Sequence, residues 1–167
     1  MTFTAGQKPT AATMNLEVAA GHEIVRHKRT FASTTTTSST GIGVIQLNIP
    51  VTLGRLYWVG FFTPCHLDST VTTDNVMAKI VYTTDGSTPT ASSPILEGAQ
   101  AYSLATAVPL ATVWAATMTG TLKVWICVGR QAGSGNVRIY ADAVGRSMEV
   151  GAVDLGPDTG SAGGTNL

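Results

Sequence analysis

From Ile42 onward the chain alternates apolar and polar positions with a period of two. Ile45, Leu47 and Ile49 alternate with Val44, Gln46 and Asn48. Successive side chains of a strand point to opposite faces, so this pattern predicts a half-buried strand. Between Arg55 and Phe62 both faces are apolar, with Leu56 and Trp58 opposite Tyr57, Val59 and Phe61. That predicts a central strand covered on both sides. From Asn75 to Thr83 the alternation returns, with Ala78, Ile80 and Tyr82 opposite Met77, Lys79 and Val81, and Asp85-Gly86 marks a turn. Shorter strands are predicted near Gln100 to Ala107 and Leu110 to Met118. Three more follow: Leu122 to Val128, Asn136 to Ala141 and Ser147 to Asp154. The first two flank the glycine-rich stretch Gly129 to Gly135, which reads as a hairpin turn. With Glu23 to Ala32 the set reaches about nine strands. The fold class is therefore all-β: an antiparallel β-sandwich, jelly-roll-like, with Trp58, Ile80, Trp114, Val124 and Ile126 expected inside.

The ends read differently. Pro9 suits a first helical turn and Gly21 a stop, with Ala11, Ala12, Ala19 and Ala20 between them. Met14, Leu16 and Val18 add apolar surface, but so short a helix is marginal in water without a partner. The expected organisation is an N-terminal arm or short helix over 1–21, a β-sandwich domain over 22–156 and a flexible tail over 157–167. Ser33 to Gly41 is a run of hydroxyl residues and reads as an exposed loop.

Charge narrows the function classes. Only 12% of residues are charged and the formal net charge is zero. The one basic stretch is Arg26-His27-Lys28-Arg29, too short for a phosphate-tracking surface, so no nucleic-acid partner is expected. It reads as a strand face or a docking point for an acidic partner. No run of about 18 apolar residues exists, so no membrane partner is expected. No basic-then-apolar leader opens the chain, which predicts synthesis in the cytoplasm. Thr is the commonest residue, which favours strands.

Chemistry is sparse. His22, His27 and His66 have no partner at metal-ligand spacing, and the adjacent pair Cys65-His66 lacks two further ligands. Cys127 lies in an apolar strand and reads as a small core residue. Neither a Gly-x-Ser-x-Gly elbow nor a phosphate loop is present. No two acids are marked as a glycosidase pair. Asp68 and Asp74 lie where a calcium loop is conceivable, though a turn role is simpler. No catalytic residue, cofactor or metal is assigned, and the chain is expected not to be an enzyme.

Two terminal motifs carry a resemblance. Phe3-Thr4-Ala5-Gly6-Gln7, Thr10-Ala11-Ala12 and Asn15-Leu16 resemble the opening of phage tail and fibre proteins. Asp154-Leu155-Gly156-Pro157 resembles the end of the last strand in β-rich virion proteins of tailed phages that infect actinobacteria. The chain departs from that opening at Lys8-Pro9, where an apolar residue often stands. The resemblance implies a small virion structural protein of the minor tail, fibre or capsid-decoration type, located in the virion after synthesis in the host bacterial cytoplasm. It implies partners among other virion structural proteins and a symmetric homo-oligomer, trimer first. The interaction residues expected are Phe3, Gln7, Met14, Leu16, Arg26, Lys28, Arg29 and Leu167. Tyr82 to Thr90 also resembles a loop of carbohydrate-associated β modules. A carbohydrate-binding receptor module with a host surface glycan as partner is therefore the alternative. Trp125 with Tyr140 is a further candidate pair for facing a partner subunit.

Overall fold

A computed structural model describes residues 23–30, 34–102, 106–141 and 148–158. The expected arm over 1–21 and the tail beyond 158 lie outside the described residues, as do Phe3, Gln7, Met14, Leu16 and Leu167. The described chain is all-β, with twelve strands in order: β1 (Glu23–Thr30), β2 (Thr34–Thr36), β3 (Ile42–Val51), β4 (Arg55–Phe61), β5 (Cys65–Ser69), β6 (Asn75–Thr83), β7 (Ile95–Tyr102), β8 (Thr106–Val108), β9 (Ala111–Ala115), β10 (Gly120–Ala132), β11 (Val137–Tyr140) and β12 (Met148–Pro157). Every pairing among them is antiparallel.

Three hydrogen-bonded sheets form, ordered β1-β12-β4-β9, β2-β11-β5-β8 and β3-β10-β6-β7. The first two are one layer. Each strand of the first continues along the chain into the strand at the same place in the second. Two of the four interruptions carry a proline, Pro64 between β4 and β5 and Pro109 between β8 and β9. Proline offers no ladder donor, so neighbouring lanes break together there. Counted as lanes, the chain makes eight. The broken layer holds lanes one, eight, three and six, and the facing layer holds lanes two, seven, four and five. That order is a jelly roll, as the strand pattern predicted.

The core between the layers takes one face of each strand. Ile45, Leu47 and Ile49 of β3 meet Leu122, Val124 and Ile126 of β10 in register. Val76, Ala78 and Ile80 of β6 continue the same inner face. Opposite them lie Tyr57, Val59 and Phe61 of β4 and Val150 and Ala152 of β12. Full burial of each such large side chain is worth about 1.5–3 kcal/mol relative to exposure. Tyr57 keeps its polar end satisfied, because its hydroxyl accepts from the Thr52 N–H at 3.0 Å. Tyr57→Phe should therefore lower unfolding free energy by about 1–2 kcal/mol in urea titration, by orphaning that donor.

Three sequence expectations are corrected. Residues 34–36 are a strand rather than part of a loop, pairing β11 through Val137↔Thr36 and Ile139↔Thr34. Trp58 and Trp114 are only partly buried, unlike Ile80, Val124 and Ile126. β4 is central in its layer, yet its outer face is only partly covered: Leu56 and Trp58 are half-buried, and Phe62, next to its end, is 38% exposed.

Candidate functional site

The outer face of the β1-β12-β4-β9 layer carries three of the six exposed large apolar side chains among the described residues, Ile24, Phe62 and Val113. Tyr57, Val59 and Phe61 point inward, so Leu56, Trp58 and Phe62 point out. The registers Ile24↔Val153, Val153↔Trp58 and Trp58↔Val113 align four apolar residues in one row across all four strands. Both ends of the row are open, Ile24 at 52% and Val113 at 54% exposure.

The adjoining row is small at three of its four positions. His27, Gly151, Gly60 and Ala111 stand side by side. A Cβ on Gly151 would fall 2.5 Å from Phe62 Cε2, so the Phe62 ring lies on that glycine. Phe62 stacks on Trp58 with centroids 5.0 Å apart, and His27 meets it edge-on at 5.5 Å. Beyond His27 the face turns polar. Arg29 Nε reaches Glu149 Oε1 at 3.0 Å, and His27 Nε2 lies 3.8 Å from Glu149 Oε2. The surface is thus an aromatic and aliphatic band with an ion-paired rim.

Of the basic stretch, Arg29 joins this rim. Arg26 and Lys28 are exposed on β1, a border strand of the layer, and pair in register with Ala152 and Val150. Arg26, Lys28 and Arg29 therefore share a strand but not a face. Trp125 and Tyr140 are not brought together. Trp125 lies on the outer side of β10, over Gly43, where a Cβ would fall 2.4 Å from Trp125 Cε3. Tyr140 lies in the other layer, beneath the Arg138 guanidinium at 4.6 Å.

The facing layer is covered by its own loop. Val81 and Cys127 are fully buried and Lys79 is nearly so, although all three point away from the core. Residues 84–94 fold back over this side of the layer at Lys79 and Lys123: Lys79 Nζ donates to the Ala91 carbonyl, and Lys123 Nζ to that of Gly86. Within the loop, Asp85 Oδ1 accepts from Ser87 N at 2.9 Å and from Ser87 Oγ at 2.6 Å. These bonds hold the Asp85 carboxyl below its usual range. Thr83 Oγ1 donates to the Ser87 carbonyl at 2.6 Å, and Thr90 N to Ser93 Oγ at 2.9 Å. The hydroxyls of this stretch are engaged in holding its shape.

A second polar centre closes one end of the sandwich. Asp74 is fully buried. Its Oδ2 accepts from Ser69 Oγ at 2.5 Å and Gly135 N at 2.9 Å, and its Oδ1 accepts from Ser134 N at 2.9 Å. The Ser69 hydroxyl first, then these backbone donors, hold the carboxyl below its ordinary value despite burial. The expected hairpin over Gly129 to Gly135 is corrected: Gly129 to Ala132 belong to β10, and residues 133–136 cross from β10 in one layer to β11 in the other, their donors capping a carboxylate from another loop. Asp68 turns elsewhere, to Arg138 Nε and Nη2 at 2.8 and 2.6 Å. The two acids of the conceivable calcium loop each have their own partners.

Cys65 and His66 are successive residues of a strand, so they point to opposite faces. Cys65 enters the core, while His66 Nδ1 is buried with no hydrogen-bond partner among the described residues. Burial pushes the Cys65 thiol up to about 12 and the Cys127 thiol to about 11. Neither is poised as a nucleophile at neutral pH.

Residues 66–123 match the family model of the chitobiase/β-hexosaminidase C-terminal domain. A comparison with curated proteins gives no match. The matched stretch runs from β5 into β10 and contains the Asp85 loop. It contributes strands to both layers but leaves out β1, β3, β4 and β12, hence Trp58, Phe62 and the ion-paired rim. Sequence patterning does not reveal the apolar row. The signal available is the doubly apolar β4, which by pattern alone reads as buried on both sides.

Proposed function

We propose that the chain is a non-enzymatic structural component of a tailed-phage virion, of the minor tail, fibre or capsid-decoration type. In this reading it assembles with other virion proteins through its arm and the borders and outer face of its bent layer. The observation that carries it is the apolar row Ile24–Val153–Trp58–Val113, open at both ends on a layer border. An exposed apolar band of this kind marks an interaction surface. The terminal motifs support the virion assignment, and the jelly roll is a frame that virion proteins use among many others.

Mass spectrometry and antibody labelling of gradient-purified particles test this reading. The chain should be found in the particle. A chain lacking residues 1–21 should fold, with an unchanged β circular-dichroism spectrum, and should fail to incorporate. Absence of the intact chain from particles would overturn the reading.

A carbohydrate-binding receptor module is the second reading. It is favoured by the match over 66–123 and by the stacked Trp58 and Phe62 beside Glu149 and Arg29. A glycan array separates the two: binding that disappears in Phe62→Ala would put the glycan reading first.

A further inference from the structure

We propose that β9 is a dimerisation edge, at which a second copy of this chain pairs antiparallel about a two-fold axis through Val113. β9 ends its layer, with β4 on one side and no strand among the described residues on the other. Its phase is set by two bonds that bracket it: Phe61 N donates to the Leu110 carbonyl at 2.9 Å, and Ala116 N to the Arg55 carbonyl at 2.8 Å. In an antiparallel ladder such bonding positions alternate. Leu110, Thr112, Trp114 and Ala116 therefore bond to β4. Ala111, Val113 and Ala115 turn their N–H and C=O groups away from it, toward the free border.

The two borders of the layer are unlike. β1 carries Arg26-His27-Lys28-Arg29, all exposed. Cations on an edge strand prevent edge-to-edge pairing. β9, Ala111-Thr112-Val113-Trp114-Ala115, carries no charge and no proline. An unguarded edge of this kind is a template for another strand.

The occupant follows from self-complementarity. With Val113 on the axis, Val113 of each copy exchanges N–H and C=O with the other. Ala111 then meets Ala115 of the second copy, and Ala115 meets Ala111. All the border groups named above are satisfied at once. The side chains of these residues share the outer face with Trp58. The apolar row, half exposed where it stops at Val113, then runs on into the row of the second copy. A head-to-tail ring would set β9 against β1 and its cations, with no acid on β9 to meet them. The closed two-fold is favoured for that reason, over the three-fold expected from the resemblance. The inference does not depend on the virion reading: it concerns the chain alone in solution, whereas that reading is tested in particles.

The test is sedimentation velocity of the full chain. A five-residue edge with a short apolar row is a small interface, so a dissociation constant of order micromolar is expected, measured from ~1 to ~100 μM. Mass should rise from one chain to two across that range. Val113→Lys, which places a cation on the edge, should raise the dissociation constant at least ~10-fold with the melting temperature within a few degrees of the parent. Lys28→Ala on the opposite border should change it by less than about twofold. Hydrogen exchange supplies a second readout that needs no variant: the amides of Ala111, Val113 and Ala115 should slow with concentration, and those of Thr112 and Trp114 should not. A monomer throughout, a trimer, or a dimer indifferent to Val113→Lys would overturn the proposal. So would association that disappears on removal of residues 1–22, which would assign the edge to the arm.

Discussion

Gly133→Ala should be among the most destabilising single-methyl changes in this chain, costing about 2–4 kcal/mol. Two effects add at that position. The backbone has φ +103, a conformation that side chains rarely adopt. A Cβ there would fall 1.9 Å from Asp74 Oδ1 and 2.9 Å from the Asp74 Cα. The first neighbour could rotate aside, but only by releasing the Ser134 and Gly135 amides that it caps. The second is backbone and cannot. Gly86 separates the effects, since its φ is +83 and a Cβ there meets nothing within 4 Å. Gly86→Ala should show conformational strain alone, about 1 kcal/mol. For a chain of this length the Gly133 variant should melt roughly 5–15 °C below the parent, and the Gly86 variant roughly 2–4 °C below. Equal losses in the two variants would mean that the clasp around Asp74 does not form.

That contrast also marks which features are legible in the residue order and which are not. One-sided burial writes itself as alternation, so Ile45, Leu47 and Ile49, or Leu122, Val124 and Ile126, are assignable to the core from the pattern alone. Their strands, and the two-layer fold, follow from that signal. β2 cannot be read in this way. Thr34 to Thr36 have the composition of a loop, and the lane they extend is defined only by pairing with β11, about a hundred residues away. Trp58 is misplaced by patterning for the opposite reason. A strand apolar on both faces does not say which face meets the core, and only layer order settles it. The clasp is illegible because its acid and its amides lie 60 and 61 positions apart. Asp74 reads locally as a turn residue, and the glycines read locally as a hairpin. The first reading is correct; the second fails, because β10 and β11 lie in different layers and do not pair, and neither reading contains the other. The terminal Asp154-Leu155-Gly156-Pro157 motif has a local cause. Gly156 has φ +100 at a register shift, and its N–H donates to Asp154 Oδ1 at 2.8 Å. Asp154 Oδ2 accepts from Arg55 Nε at 2.7 Å. The motif is thus a bulge that pins the end of β12 to the start of β4.

Acid should unfold the protein cooperatively as pH falls below about 4, and Asp74→Asn should both weaken it at neutral pH and flatten this dependence. Among the described residues, three carboxyls sit below the ordinary aspartate value of 3.8 in the folded chain. Asp74 is held there by Ser69 and the two loop amides. At Asp154 burial pushes upward, and Arg55 with the Gly156 amide outweighs it. Asp85 is exposed, so its Ser87 bonds add little. A carboxyl with a depressed folded value binds its proton first in the unfolded chain. Its contribution is therefore complete above about 3.8 and is lost as pH falls through the lower folded value. Urea titrations at pH 7, 4 and 3 should show midpoints that change little from pH 7 to pH 4 and fall steeply from pH 4 to pH 3. The asparagine variant keeps the shape of Asp74 but not its chemistry. Both carboxylate oxygens accept, from Ser134 on one side and from Gly135 and Ser69 on the other. An amide has one acceptor, so its NH2 group must face a backbone N–H. One loop amide is then left unpaired and buried, which lowers stability at pH 7. The remaining pH dependence in that variant should come from Asp154, and Asp154→Asn should remove most of what is left. If Asp74→Asn instead keeps the full slope between pH 4 and pH 3, the buried clasp is not the group that acid attacks.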